Sequence, residues 1–268
     1  MRLKKILSIL TFLIVTFTSI NVYADKSTGV LNDSNITKAE MKILKAESDA
    51  KDKLISESLK INYSELNQVL PMSTGYEYYT IDVTNYAQET TYWCGPASAK
   101  QTLSFHKSIT GSGNSLPSQS QLAIDSGTTT SGTSSANLKN ALNKYASTFY
   151  FTNHLYVAAD IANTSNPGAI LENRLAYDIR NKYDAPILLL QCQYLPRYNG
   201  LNIRHYNTSS GYYHELSTGD KQIRNVDPHY NAAYRGIFWD ELGNTTINSV
   251  ARAVYQADLH GTNLVMVY

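Results

Sequence analysis

The run Gln88-Glu89-Thr90-Thr91-Tyr92-Trp93-Cys94-Gly95-Pro96-Ala97-Ser98 constrains this chain more than any other stretch. It reads as a loop that turns sharply into a helix. Gly95 lets another segment approach closely, and Pro96 suits the first helical turn, where its missing N–H is no loss. Ala97 to His106 continues with good to fair helix formers. A thiol at a helix start feels the positive end of the macrodipole, which favours thiolate. Gln88, six residues earlier, is spaced to set a side-chain N–H beside the backbone N–H of Cys94, the pair of donors that makes an oxyanion hole. A cysteine near a helix start is more often just a small buried apolar residue. A nucleophile therefore requires a base elsewhere in the chain, and something to orient that base.

The chain has six histidines, and three of them, His205, His214 and His229, fall in its strand-rich half. His205 follows the apolar run Pro186-Ile187-Leu188-Leu189-Leu190 and opens a block of its own. Asp227, in Val226-Asp227-Pro228, ends the next strand but one, and Pro228 stops that strand. Placed beside His205, the carboxylate would accept Nδ1–H and fix the ring. His214 adjoins Glu215 among turn residues and reads as solvated. His229, directly after Pro228, reads as part of a turn too far along to face the cysteine helix. No HExxH pattern, P-loop or dinucleotide fingerprint occurs, so neither a metal nor a cofactor is expected.

These blocks resemble the papain-like cysteine peptidases, and more closely the branch related to the bacteriocin-leader (double-glycine) peptidases. The resemblance rests on YWCGPASAKQTLSFH at 92–106, QSQLAIDSGTTTSGTSSANLKNALNKY at 119–145, APILLL at 185–190, RHYNTSSGY at 204–212 and NVDP at 225–228, and covers roughly 84–235. It implies Cys94 as nucleophile, His205 as base, Asp227 as its orienting carboxylate and Gln88 as oxyanion donor. It also implies an α+β papain-like fold, in which a helical half carrying the cysteine packs on an antiparallel sheet half carrying the histidine. One departure stands out. The polar run Asn207-Thr208-Ser209-Ser210 follows the histidine where the family continues with an apolar strand.

The order of elements agrees with α+β. A capping box, Thr37-x-x-Glu40, with Ile36 and Met41 as a hydrophobic staple, opens a helix over 38–60 whose apolar stripe (Met41, Leu44, Ala50, Leu54, Leu59) is ragged. Short helices are expected over 119–124 and 134–145, a hairpin at 149–157, and a helix over 169–183. Strands follow at 186–194, 201–207, 211–217, 221–227 and 264–267, with a last helix over 246–259. Three regions result: a leader at 1–24, an N-terminal helical segment and linker at 25–75, and the peptidase-like domain at 76–268. The middle region is either a propeptide covering the cleft or a helix packed on the domain's edge.

Residues 1–24 have a basic start, an apolar stretch from Ile6 to Val15 and Val22-Tyr23-Ala24 at the cleavage point, the pattern of a secretory signal peptide. The apolar stretch is too short for a convincing membrane span. Loss of Arg2, Lys4 and Lys5 with the leader takes the formal charge from +1 to −2, which argues against nucleic-acid binding. The expected product is a secreted enzyme acting on protein or peptide, with no stable membrane insertion. Export to an oxidising compartment raises a Cys94–Cys192 disulfide as the competing use of the only two cysteines, and free thiols are favoured by the context of Cys94. Two other readings share the scaffold. One is a thiol acyltransferase or amidase acting on wall peptide; the other is a non-catalytic binding module using the 21 tyrosines.

Overall fold

The structure, a computed structural model, describes residues 36–66, 75–259 and 264–268. The leader, residues 25–35 and the linker up to residue 74 lie outside the described residues. The first helix, α1 (Lys38–Leu66), begins at the capping box: Thr37 N–H donates to Glu40 Oε2 at 2.8 Å and Glu40 N–H donates to Thr37 Oγ1 at 3.2 Å. Ile36 and Met41 pack against the core beside it.

The fold is α+β. Its sheet joins β1 (Tyr76–Thr80), β2 (Ala158–Ala159), β3 (Ile187–Gln191), β4 (Arg204–Glu215), β5 (Lys221–Asp227), β6 (Gly236–Glu241) and β7 (Met266–Val267). The order is β2-β7-β3-β4-β5-β6, all antiparallel, and β1 also pairs with β4. β4 is the central strand. One edge takes β3 along its first half and β1 along its second, while the other edge takes β5.

The helix that follows the cysteine, α2 (Cys94–Thr110), lies on this strand and ends at Gly111 in the left-handed conformation. Its first turns are small residues, Gly95, Ala97, Ser98 and Ala99, all buried, which lets helix and strand backbones come close. Ser98 Oγ donates to the Tyr206 carbonyl at 3.2 Å, and Thr208 Oγ1 donates to the Ser98 carbonyl at 3.2 Å. Two short helices, α3 (Gln119–Asp125) and α4 (Ser135–Asn143), start on the serine caps Ser118 and Ser134. A fifth helix, α5 (Pro167–Asn181), is capped by Asn166 with Pro167 at its start, and α6 (Val250–Leu259) is the last.

β4 corrects the strand assignment. The expected strands at 201–207 and 211–217 are one strand of 12 residues with a bulge between Ser209 and Gly211. The polar run 207–210 is fully buried, so the break suggested by its polarity does not occur. On an unbroken strand Thr208 and Tyr212 would face the same side. The extra residue reverses this: Thr208 reaches α2, while Tyr212 donates its hydroxyl to Glu172 on α5. The hairpin expected at 149–157 is absent. Those residues form turns whose rings Phe149, Phe151 and Tyr156 fill the core, and pairing begins only at Val157, which exchanges backbone hydrogen bonds with Tyr268, and continues through Ala158–Ala159.

Candidate active site

Cys94 begins α2 and is 0% exposed. Gly95 is required beside it, since a Cβ there would lie 2.9 Å from Thr133 Oγ1 and 3.0 Å from Thr133 Cβ. The loop before α4 thus presses directly on the first turn of the cysteine helix.

His205 lies near the start of β4 opposite Leu190, also 0% exposed. Its Nε2 is 2.9 Å from Asp227 Oδ1. The sequence-based assignment of Nδ1 to Asp227 is therefore reversed. Nδ1 is buried, and the thiol of Cys94 acts on the ring through hydrogen bonding and charge. Burial alone would pull the imidazole pKa down. The charge and hydrogen bond of Asp227, reinforced by Cys94, outweigh it and push His205 up to about 9. Asp227 moves the other way: burial raises its pKa, but His205, Arg197 and Tyr198 together hold it well below the carboxylate range. A buried imidazolium–carboxylate pair is the stable state at neutral pH.

Two residues missed in the sequence complete this pair. Arg197 Nη1 donates to Asp227 Oδ2 at 2.7 Å, and the Tyr198 hydroxyl donates to the same oxygen. Both come from the short 3-10 turn Pro196–Tyr198 after β3, a segment without a motif. Arg197 also reaches Asp240 through Nε at 3.2 Å and lies over the Phe238 ring at 4.5 Å, so β6 braces it. No strand was expected at 236–241.

Gln88 is buried, and its backbone N–H donates to the Pro228 carbonyl at 2.7 Å, tying the loop before α2 to the residue after Asp227. Its Nε2 donates to the Thr90 carbonyl at 2.7 Å; an amide nitrogen carries two hydrogens, so one donor is left for another partner. His214 is half-buried beside Glu77 at 3.6 Å, on β4 far from its start. His229 lies past the end of β5, as expected, but it is not remote from the site. It is 1% exposed, its ring lies 5.1 Å from that of His205, and its backbone N–H donates to Asp227 Oδ1 at 2.9 Å. Register is the signal that finds it: Thr208 pairs with Val226, and the same ladder continued outward sets His205 opposite His229. Neither Cys94 nor Cys192 is in a disulfide, both are buried, and burial, with the Asp227 charge, drives the Cys192 thiol pKa well up.

The arrangement joins a helix-start thiol to an imidazole held by a buried carboxylate, which suits thiolate nucleophilic chemistry on an acyl group. A family model described as "Peptidase_C39 like family" matches residues 80–247. Among the solved structures that match is one titled "Crystal structure of UfSP from C.elegans", with 14% identity and a TM-score of 0.38. That match covers 60% of this chain and 28% of the other. No curated protein matches the chain significantly.

Proposed function

This chain belongs to the Peptidase_C39 like family, a family of cysteine peptidases, and we propose that it hydrolyses peptide bonds through an acyl-enzyme on Cys94. The observation that carries the residue assignment is His205, held through Nε2 by Asp227 and acted on by Cys94. With the ring protonated, the thiolate of Cys94 attacks the scissile carbonyl. The oxyanion that forms is met by the Cys94 backbone N–H and the remaining Gln88 Nε2 hydrogen. His205 then passes the Nδ1 proton to the departing amine, the C–N bond breaks, and a thioester remains. Water, losing a proton to His205, attacks the thioester and returns the carboxylic acid and the thiol. An amine in place of water would give acyl transfer by the same steps.

The leader pattern at 1–24 supports export of this peptidase, and its substrate is a protein or peptide met outside the cell. The test is treatment of the purified protein with iodoacetamide at pH 6 and mapping of the adducts. Selective, rapid modification of Cys94, together with loss of casein cleavage in Cys94→Ala, is the expected outcome. Labelling of Cys94 no faster than that of a denatured thiol would remove the nucleophile from the reading.

A further inference from the structure

His229 carries chemistry that the reaction above does not use. Its Nδ1 accepts the backbone N–H of Asn231 at 2.9 Å. A neutral imidazole has one N–H and one lone pair, so an accepting Nδ1 places the proton on Nε2. The ring stays neutral, because burial and the neighbouring His205 charge hold its pKa down at about 4. His229 Nε2 is therefore an N–H donor, and it is buried without a hydrogen-bond partner among the described residues. Native interiors rarely keep such a donor unmatched.

Its position says what would match it. His205 protonates the departing amine, so the peptide on the leaving side must pass the His205 ring. Two rings flank His205, those of Tyr198 at 6.5 Å and His229 at 5.1 Å. The Tyr198 hydroxyl is committed to Asp227. The His229 Nε2–H is the uncommitted donor of the two. Its neutrality suits the place, since a second cation there would repel the His205 imidazolium.

We propose that His229 Nε2–H donates a hydrogen bond to a backbone carbonyl of the substrate on the leaving side of the scissile bond, so that His229 reads the peptide beyond the cut. This rests on the peptidase reading. A casein-derived peptide cut by the wild-type enzyme is compared with its own acyl half joined to aniline, which offers no carbonyl on the leaving side. His229→Phe keeps a ring and removes the donor; His229→Gln returns an N–H at similar reach. The expected result is a loss of kcat/KM of about tenfold or more on the peptide in His229→Phe, a clearly smaller loss on the anilide, and recovery on the peptide in His229→Gln. Should the phenylalanine variant not fold, His229→Leu carries the same comparison. Equal losses on both substrates, with slower alkylation of Cys94, would mean that His229 only props His205, and would overturn the proposal. Near-equal rates throughout would mean that the Tyr234 ring, edge-on at 5.1 Å, absorbs the Nε2–H, and would overturn it as well. A wild type that cuts neither substrate takes down the peptidase reading and this proposal with it.

Discussion

Asp227 meets His205, Arg197, Tyr198 and the His229 backbone N–H at once, and that crowding sets the pH behaviour of the site. His205 has its folded pKa raised from 6.5 to about 9, so the stabilisation it brings is complete below about pH 6.5 and is lost as pH rises through about 9. Asp227 is depressed, so its contribution is present above the ordinary carboxylate range and is lost only as pH falls below it. kcat/KM should therefore fall on the alkaline side with an apparent pKa near 9, as His205 loses its proton. Asp227→Asn should move that limb down toward 6.5, and a pH–rate profile of both proteins checks it. An alkaline limb that stays near 9 in the asparagine variant would remove Asp227 as the cause. At this scale the sequence named Cys94, His205 and Asp227 because residue type and spacing are local. It could not tell which imidazole nitrogen meets the carboxylate. It also missed Arg197, Tyr198 and His229, since each depends on where another strand lies.

At the scale of elements, α1 shows what periodicity conveys and what it conceals. The capping box and staple are local and formed as read. The inward face is different: Leu44 and Ile55 are buried, Leu54 from the expected stripe is 59% exposed, and Lys51 turns inward between them. Its Nζ lies 2.7 Å from Asp184 and 3.5 Å from Asp178, both fully buried. Asp52 pairs with Arg174 on α5 at 2.8 Å, and Glu47 with Lys139 on α4 at 2.7 Å. A stripe drawn from apolar residues alone cannot show charged residues whose partners lie on other elements. These contacts place α1 on α4, α5 and the segment before β3. Lys51→Met leaves two buried carboxylates without their cation and should cost about 3 kcal/mol in urea unfolding. The loss should be larger at pH 8 than at pH 5, where Asp178, raised to about 7 by burial, takes up a proton. A variant as stable as wild type at pH 8 would show that α1 is dispensable to the fold. The same blindness explains β4: its polar residues are held by Ser98 and Asn225, from α2 and β5, which no reading along the strand reveals.

Across the whole molecule, the sheet carries the site by bringing three distant segments to one end of β4: the α2 start, the turn after β3 and the end of β5. The sequence conveyed the α+β order, helices first and strands later, and the last strand within 264–267, but not β2, the two-residue strand that pairs with it and is too short to leave a pattern. Among the described residues no helix is long and apolar enough to cross a membrane. Both cysteines end up in this one region, with Cys192 beside Tyr198 and Asp227 and near enough to Cys94 to feel its charge. They differ in what surrounds them. Cys94 acts on His205, whereas Cys192 is buried near a carboxylate that opposes its ionisation, so it stays a thiol and reacts slowly. A disulfide between them would consume the nucleophile. We expect protein purified without reductant to take up one equivalent of iodoacetamide when native, at Cys94, and two when denatured without reductant. Cys192→Ala should keep casein cleavage near wild type and cost about 1 kcal/mol through the small cavity it leaves. Denatured protein that takes up no label until a reductant is added would show a Cys94–Cys192 bridge, and activity would then depend on its reduction.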